Sequence, residues 1–383
     1  MRLREYSAQA NVCIHANIAP AGDPLVPRHH NDGITRSGYQ NIRGSDIDSG
    51  LEIATEVDTM HDIGSDVQGL SETNKPWTPG NKYKFDFMMQ TMFGHTVTVY
   101  SSAAAHHGQQ YQPGGNLLTV TGAAAGRVRD SGSDEWGRHC WIALGGKRDE
   151  GVVFITAYRV CQERHNNPGP LTAFSTQYTE MKKRGIKKPN PRKQCLKDLL
   201  KLIQQLRQRG FRPALMMDAN GDWNHPTDPD EDLKNFISEA NLVDAFYARH
   251  GYSPRTYMWG QKRLDYWLID PGLMPAVDRV GYLGSHEGAD TDHVYGFIDW
   301  NTEKLFQGII NRPIAAHSRD FLLAQSDKVK PFLEELIKQS EQHKFQARTF
   351  KLAKRFVVED GKTTQNLSTY RKPYDEVHIQ ETV

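Results

Sequence analysis

Cysteine is scarce in this 383-residue chain. There are four, Cys13, Cys140, Cys161 and Cys195, far apart and forming no C-x-x-C. That spacing supports neither a zinc module nor a disulfide scaffold, and it reads as ordinary thiols in a reducing compartment. No stretch approaches the ~20 apolar residues of a membrane span. The opening segment, MRLREYSAQANVCIHANIAP, lacks the continuous apolar core of a secretory signal. An excess of one charge is missing too. Lys+Arg 47 against Asp+Glu 46 gives a formal net charge of +1, so no global basic field marks a nucleic-acid binder. A local basic surface is compatible with that balance. No repeat or low-complexity tract appears. These absences leave a soluble intracellular protein with no membrane partner, nuclear if its source is eukaryotic.

What is present supports a sizeable core: 38% of residues are hydrophobic and 24% charged. Residues 1–34 mix Pro, His, Asn and Gly without a period and read as an irregular N-terminal extension. Residues 35–301 read as one domain of mixed strands and helices. Leu51, Ile53, Val57 and Met60 predict a helix bounded by Ser49 and Gly64. GNLLTVTG, GRVRDSGSD and RHCWIALGG read as consecutive antiparallel strands with Gly-rich turns. GVVFITAYRV and PALMM read as buried strands. Between them, Leu196, Leu199, Leu200, Ile203 and Leu206 form the apolar stripe of a helix that stops at Gly210. RLDYWLI and a segment near RVGYLG add later strands. Residues 302–383 read as a helical extension with a polar tail, with Val329, Phe332, Leu333, Leu336 and Ile337 on one face. Two packed sheets flanked by helices accommodate this order.

Apolar strands here run repeatedly into acidic, amide or His residues. The strand ends supply Asn41, Glu72, Tyr158, Asp218, Asn220, Asp265, Asp292 and His293. Singly, a Glu after a strand is ordinarily a solvated turn residue, and an Asp-His pair is ordinarily a surface ion pair. Asp265 is less bland. It interrupts an apolar run, and a carboxylate buried alone costs several kcal/mol. His293 is a natural partner for it.

The ordered set resembles the endonuclease/exonuclease/phosphatase superfamily. It runs Asn41, then Gln68-x-x-x-Glu72, Ala157-Tyr158-Arg159, Asp218-Ala219-Asn220, Arg263-Leu264-Asp265-Tyr266 and Thr291-Asp292-His293. The segments YRVCQ, GPLTAF and QPGGNLLTVTG are similar to endonuclease domains of non-LTR retroelement polyproteins. The resemblance implies a four-layered α/β sandwich and metal-dependent phosphodiester hydrolysis. It makes Glu72 the main Mg²⁺ ligand, with Asn41 adjacent and Asp292 helping; Mn²⁺ would serve as well. It gives Asp218 the attacking water, and Asn220 and Tyr158 the scissile phosphate. It makes His293, oriented by Asp265, the donor to a phosphate oxygen, with Arg159 adding charge.

Two departures stand out. Gln68 and Glu72 are one step further apart than the family pattern has them. Asp-x-Asn also occurs twice, as Asp218-Ala219-Asn220 and Asp222-Trp223-Asn224, and the Gly that usually precedes the motif Asp precedes Asp222. Strand logic favours Asp218, because the apolar run Ala214–Met217 ends there. Asp222 and Asn224 then read as an Asx-type turn, and Asp228, Pro229 and Glu231 as N-cap, N1 and N3 of the next helix.

RTYMWGQKR places Arg255, Tyr257, Trp259 and Lys262 just ahead of the Asp265 strand, which suits nucleic acid better than a small head group. The run MKKRGIKKPNPRK (181–193) fits either a phosphate grip or a solvated linker. The leading expectation is a DNA endonuclease that nicks its target, with a reverse transcriptase or another retroelement protein as partner. The alternatives are an inositide phosphatase or lipid phosphodiesterase of the same superfamily, and a non-catalytic nucleic-acid or protein-binding module on this scaffold.

Overall fold

The computed structural model describes residues 18–28, 33–44, 51–102, 112–146, 150–163, 172–285, 287–289, 291–308 and 326–342. Thirteen strands are seen among these residues: β1 (Ala21–Gly22), β2 (Ile34–Asn41), β3 (Val67–Ser71), β4 (Thr96–Ser101), β5 (Asn116–Thr121), β6 (Val128–Ser133), β7 (His139–Gly145), β8 (Gly151–Tyr158), β9 (Phe211–Asp218), β10 (Val243–Asp244), β11 (Asp265–Ile269), β12 (Val277–Tyr282) and β13 (Gly296–Asn301). The helices of the first unit are α1 (Leu51–Ile63), α2 (Pro79–Phe93), α3 (Gly122–Ala125), α4 (Ala173–Lys183), α5 (Pro191–Gln208), α6 (Glu231–Glu239), α7 (Ala245–His250) and α8 (Thr302–Leu305); α9 (Ser326–Gln342) belongs to a second unit.

Two sheets form. One has the order β1-β12-β13-β2-β3-β5-β4 and the other β10-β11-β9-β8-β7-β6. Only β2–β3 and β8–β9 pair in parallel, each pair joined through a helical crossover. The side chains explain the stacking. Along β9, Ala214 and Met216 enter the inter-sheet core, while Leu215 and Met217 pack outward with Leu199, Ile203 and Leu206 of α5. Phe154 and Ile155 of β8 divide the same way. Leu70 and Leu117 face outward with Val57, Met60, Phe85 and Met89 of α1 and α2. Period-two alternation on both sheets with helices outside gives four layers, the expected α/β sandwich. The sheets approach closely at Gly69, where an added Cβ would meet Thr156 Oγ1 at 2.4 Å.

Several elements differ from expectation. β5 does not pair with β6; α3 carries the chain from one sheet to the other. The strand β13 was not foreseen, because DHVYGFIDW gives no clean period. It lies between β12 and β2. The cap of α6 is Asp230, which accepts the Leu233 amide, and not Asp228. Ala21–Gly22 are tied to β12, and Leu305 and Phe306 join the main core. Residues 1–17 and 343–383, read as irregular extension and polar tail, lie outside the described residues, as do the side chains of Val329, Phe332 and Leu333. α9 belongs to a unit separate from the sandwich, and its Leu336 and Ile337 are exposed. No described helix is long and apolar enough to cross a membrane.

Buried Arg–Asp pairs pin the sheets. Arg36 of β2 bonds Asp299 of β13 through Nε at 2.6 Å and Nη2 at 2.9 Å, and both residues are buried. Removing one partner strands a charge in a dry interior. Asp299→Ala is therefore expected to lower stability by about 3–5 kcal/mol, read as a shift in the urea midpoint. A second polar knot lies at the start of β7. Arg138 holds Asp134 with its backbone amide and Nε, both at 2.6 Å. Its carbonyl accepts the Tyr158 amide. Burial lowers the pKa of the neighbouring His139, although Asp134 opposes this. The unfolded chain then takes that proton first, so stability falls as pH drops below the ordinary His range of about 6.5. Unfolding midpoints at pH values above and below that range are expected to differ less in His139→Gln than in the parent chain.

Candidate functional site

The strand parities decide which polar ends meet. Tyr39 of β2 faces the inter-sheet core, so Asn41, two residues on, faces it too. By the same count Asp218 follows Met216, Tyr158 follows Phe154, and Asp265 precedes Trp267. All four therefore point between the sheets. In register, Asp218 of β9 lies between Tyr158 of β8 and Asp265 of β11. Glu72 breaks the count. It sits at φ 53°, a left-handed conformation uncommon outside Gly and Asn. That turn brings its carboxylate back toward Asn41.

The centre of the cluster is one amide. Asn41 Nδ2 donates to Glu72 Oε2 at 2.9 Å and to Asp218 Oδ2 at 2.8 Å. Its Oδ1 accepts the Arg43 amide at 2.9 Å. So placed, Asn41 offers N–H donors to two carboxylates, whereas a metal ligand would turn its oxygen to the cation. Asp265 Oδ2 lies 2.8 Å from His293 Nδ1. Thr256 Oγ1 accepts the amides of Leu264 and Asp265 and fixes the strand entry.

The electrostatics follow from burial. Desolvation raises the Glu72 carboxyl above its ordinary value, against the pull of Asn41 and His293. Asp218 is pushed up to about 7 by burial, with His293 opposing and Asp265 adding to the rise. Burial works against charge on His293, yet Asp265 and its hydrogen bond, with Asp218 and Asp292, raise it to about 10. Burial and then Glu72 push the Tyr158 hydroxyl well above its usual value, and that hydroxyl bonds Glu72. The cluster is thus a crowd of carboxylates around one imidazolium and one amide.

Not every expected residue reaches it. Asn220, at φ 45°, gives its backbone amide to Asp218 Oδ1 at 2.8 Å, and its side-chain hydrogens to the Arg159 carbonyl at 2.8 Å and Asp218 Oδ2 at 3.1 Å. It orients Asp218, and its backbone and side-chain donors are already engaged by Asp218 and the Arg159 carbonyl. Arg159 is 1% exposed and spends its guanidinium on Asp230 and the Ala219 carbonyl. Lys262 pairs with Asp228. Asp292 pairs with Arg43 at 3.2 Å. Tyr257 forms a β-bridge to His293, with rings 5.0 Å apart, and Trp259 in the same loop is exposed. Arg255 is half-buried in that loop. Sequence reasoning missed Thr256, which gives no local signal. It also missed Cys161, whose thiol donates to Asn220 Oδ1 at 2.8 Å. Asp222 is buried and accepts the amides of Asn224 at 3.1 Å and Arg263 at 3.2 Å, so the second Asp-x-Asn is a turn.

A divalent cation fits this donor set. Asp265 Oδ1 is buried with no hydrogen-bond partner among the described residues, and desolvation raises the Glu72 carboxyl above its ordinary value, a cost that a bound cation would offset. Ligand atoms of Asp218, Asp265 and His293 lie within 4.8 Å of one another. His293, charged and committed to Asp265, is a donor and so a poor ligand. The remaining donors are carboxylate oxygens, which suit a hard ion such as Mg²⁺ or Mn²⁺.

No protein-family model and no curated protein matches the chain. Solved structures are similar to it at low identity. A 3′ phosphatase from Neisseria, solved with a product DNA hairpin, is 15% identical with a TM-score of 0.47; the match covers 70% of this chain and 99% of that one. An endonuclease/exonuclease/phosphatase family protein from Bacteroides thetaiotaomicron is 13% identical with a TM-score of 0.45, over 70% and 97% of the two chains. The endonuclease domain of TRAS1, a telomere-specific non-LTR retrotransposon, is 11% identical with a TM-score of 0.42, over 70% and 98%. At these values the likenesses carry no substrate, metal or activity to this chain.

If the carboxylates hold a cation, Mn²⁺ titrated into the metal-free protein will bind with loss of the free-ion paramagnetic signal. Glu72→Gln is expected to weaken that binding by at least about tenfold. Equal binding by both proteins would exclude Glu72 as a ligand.

Proposed function

We propose that this protein is a divalent-metal-dependent phosphodiester hydrolase, and specifically an endonuclease that nicks DNA. One observation carries the reading. Five strands from two sheets deliver Glu72, Asp218 and the Asp265–His293 pair to a single cluster, bridged by Asn41. A bound Mg²⁺ or Mn²⁺ would neutralise charge on the phosphate and on the leaving oxygen. The chain's own groups supply the rest. Asp218, held by Asn41 and Asn220, accepts a proton from the attacking water and fixes its direction. Its raised pKa suits transfer near neutral pH. His293, kept cationic by Asp265, donates to a non-bridging phosphate oxygen as charge builds there. Tyr158 holds the carboxylate of Glu72.

Tyr257, whose ring lies 5.0 Å from that of His293, and the exposed Trp259 two residues further along the loop favour a nucleic-acid substrate over a small head group, because aromatic faces stack on bases. A nick leaves a 3′-hydroxyl, the end that a reverse transcriptase extends. The retroelement-type resemblance makes such an enzyme the implied partner.

The test is supercoiled plasmid incubated with Mg²⁺ or with EDTA. Metal-dependent conversion to open circles is expected, falling by at least about 100-fold in Glu72→Ala and His293→Ala. Asp218→Ala is expected to abolish nicking. Asp222→Ala is expected to cost about 1–3 kcal/mol of stability yet leave the folded fraction active. The reverse ranking of those two variants would overturn the site assignment. Release of phosphate from inositides without nicking would move the substrate to the phosphatase class. Binding without turnover would leave a non-catalytic module.

A further inference from the structure

Beside Glu72 and Tyr158 lies a cavity of about 210 Å³, lined also by Thr172, Ala173 and Phe174 at the start of α4. Phe174, Tyr178 and Lys182 are spaced four apart, so they share one face of that helix. The structure shows them in a row. The rings of Phe174 and Tyr178 stack with centroids 6.3 Å apart and planes 13° apart. The Lys182 ammonium lies 5.0 Å from the Tyr178 ring centre. From Phe174 to Lys182 the helix advances ~12 Å, at ~1.5 Å per residue. A duplex strand covers that distance in three to four steps of ~3.4 Å.

At the far end of the row the chain is basic. Lys182, Lys183, Arg184, Lys187 and Lys188 are all exposed. Two of these charges are answered. Glu180 lies 3.8 Å from Lys183 and 3.2 Å from Arg184, and Glu135 lies 2.6 Å from Arg184. Among the described residues, no carboxylate comes within ion-pair distance of Lys182, Lys187 or Lys188. The rest of the run is spent inside the fold. Arg192 is buried against the Val160 carbonyl and Asp230, and Lys193 pairs with Asp232 at 3.0 Å.

We propose that this face of α4 and the loop leading to α5 grip the phosphate backbone of duplex DNA several nucleotides from the cleaved bond. The proposal rests on the nuclease reading and extends it. Phe174 is itself buried and backs the cavity, so the reachable part of the row is Tyr178 and Lys182. A small phosphorylated head group held at Glu72 would end before the lysines, whereas a polymer continues past the cavity toward them. Phosphates then meet three cations that no carboxylate among the described residues neutralises. A loop that is basic merely for solubility would leave DNA affinity and its salt dependence unchanged.

The experiment compares the full chain with a Lys182→Ala, Lys187→Ala, Lys188→Ala triple variant and with its Lys→Arg counterpart. Binding of a fluorescein-labelled DNA duplex is followed by anisotropy in EDTA between about 50 and 200 mM KCl. For three lost phosphate contacts, the plot of log affinity against log salt should flatten by about 2–3, and affinity at the lowest salt should fall at least about tenfold. The arginine variant should bind as the parent does. Hydrolysis of bis(p-nitrophenyl) phosphate in Mg²⁺, a diester too small to reach the lysines, should be unchanged in all three. An unchanged slope and affinity would overturn the proposal, as would lysines that govern binding to anionic lipid vesicles and not to the duplex. If the parent chain hydrolyses neither plasmid nor the small diester, the nuclease reading fails, while the salt slope still decides whether the strip holds DNA.

Discussion

Everything at the strand ends depends on one –NH₂ group. Asn41 sits in one sheet and Asp218 in the other, and Glu72 follows the strand next to Asn41. Two carboxylates ~5 Å apart repel by ~3 kcal/mol even at an effective dielectric of ~20. The amide offsets that by giving one hydrogen to each. It can do so because its own oxygen is fixed by the Arg43 amide, at a residue with φ 52°. A side chain without two hydrogens on one atom would leave one carboxylate unanswered. The contact also spans the layers, so charge balance and sheet packing are set at the same place.

The basic residues near the cluster turn out to be its frame. Arg263 holds Asp244 through Nη1 at 2.6 Å and Nη2 at 2.9 Å, and its Nε meets the Asp265 carbonyl at 3.2 Å. Arg159 and Arg192 both converge on Asp230, and they also donate to the Ala219 and Asn220 carbonyls respectively. These guanidiniums are buried, and each is paired with a carboxylate and at least one carbonyl, although Arg159 Nε finds no hydrogen-bond partner among the described residues. They fix the backbone on which Asp218, Asn220 and Asp265 stand. These guanidiniums are spent inside the fold, whereas Lys182, Lys187 and Lys188 are exposed.

The sandwich and most of the site were legible because strand parity is a strict code. Once Met216, Phe154, Tyr39 and Trp267 face inward, Asp218, Tyr158, Asn41 and Asp265 must do so as well. What remained hidden depends on contacts remote in sequence. The partners of β5 are β3 and β4 and not β6, a choice made by a four-residue helix that says nothing of its destination. Strand β13 follows His293 with a mixture of Gly, Phe and Asp that has no period. Arg159 read as a source of charge for the phosphate, and Arg192 as part of a run that was either a phosphate grip or a solvated linker, because local sequence cannot show that Asp230, some forty to seventy residues away, claims both. Glu72 reaches the cluster through a positive φ, and no propensity scale predicts a glutamate there.

The doubled Asp-x-Asn shows the same division. A glycine before Asp222 made the second copy the better match to the motif. The structure gives that glycine another reason. A Cβ on Gly221 would lie 2.2 Å from Asp230 Oδ2, the carboxylate that Arg159 and Arg192 share. The position must be bare so that the ion cluster can close under the turn. Asp222 then caps that turn and accepts the Arg263 amide, tying the exit of β9 to the entry of β11. Its carboxylate is structural for the same reason that Asp218 is available. The strand ends at Asp218 with its side chain between the sheets, and four residues later the chain has already turned away.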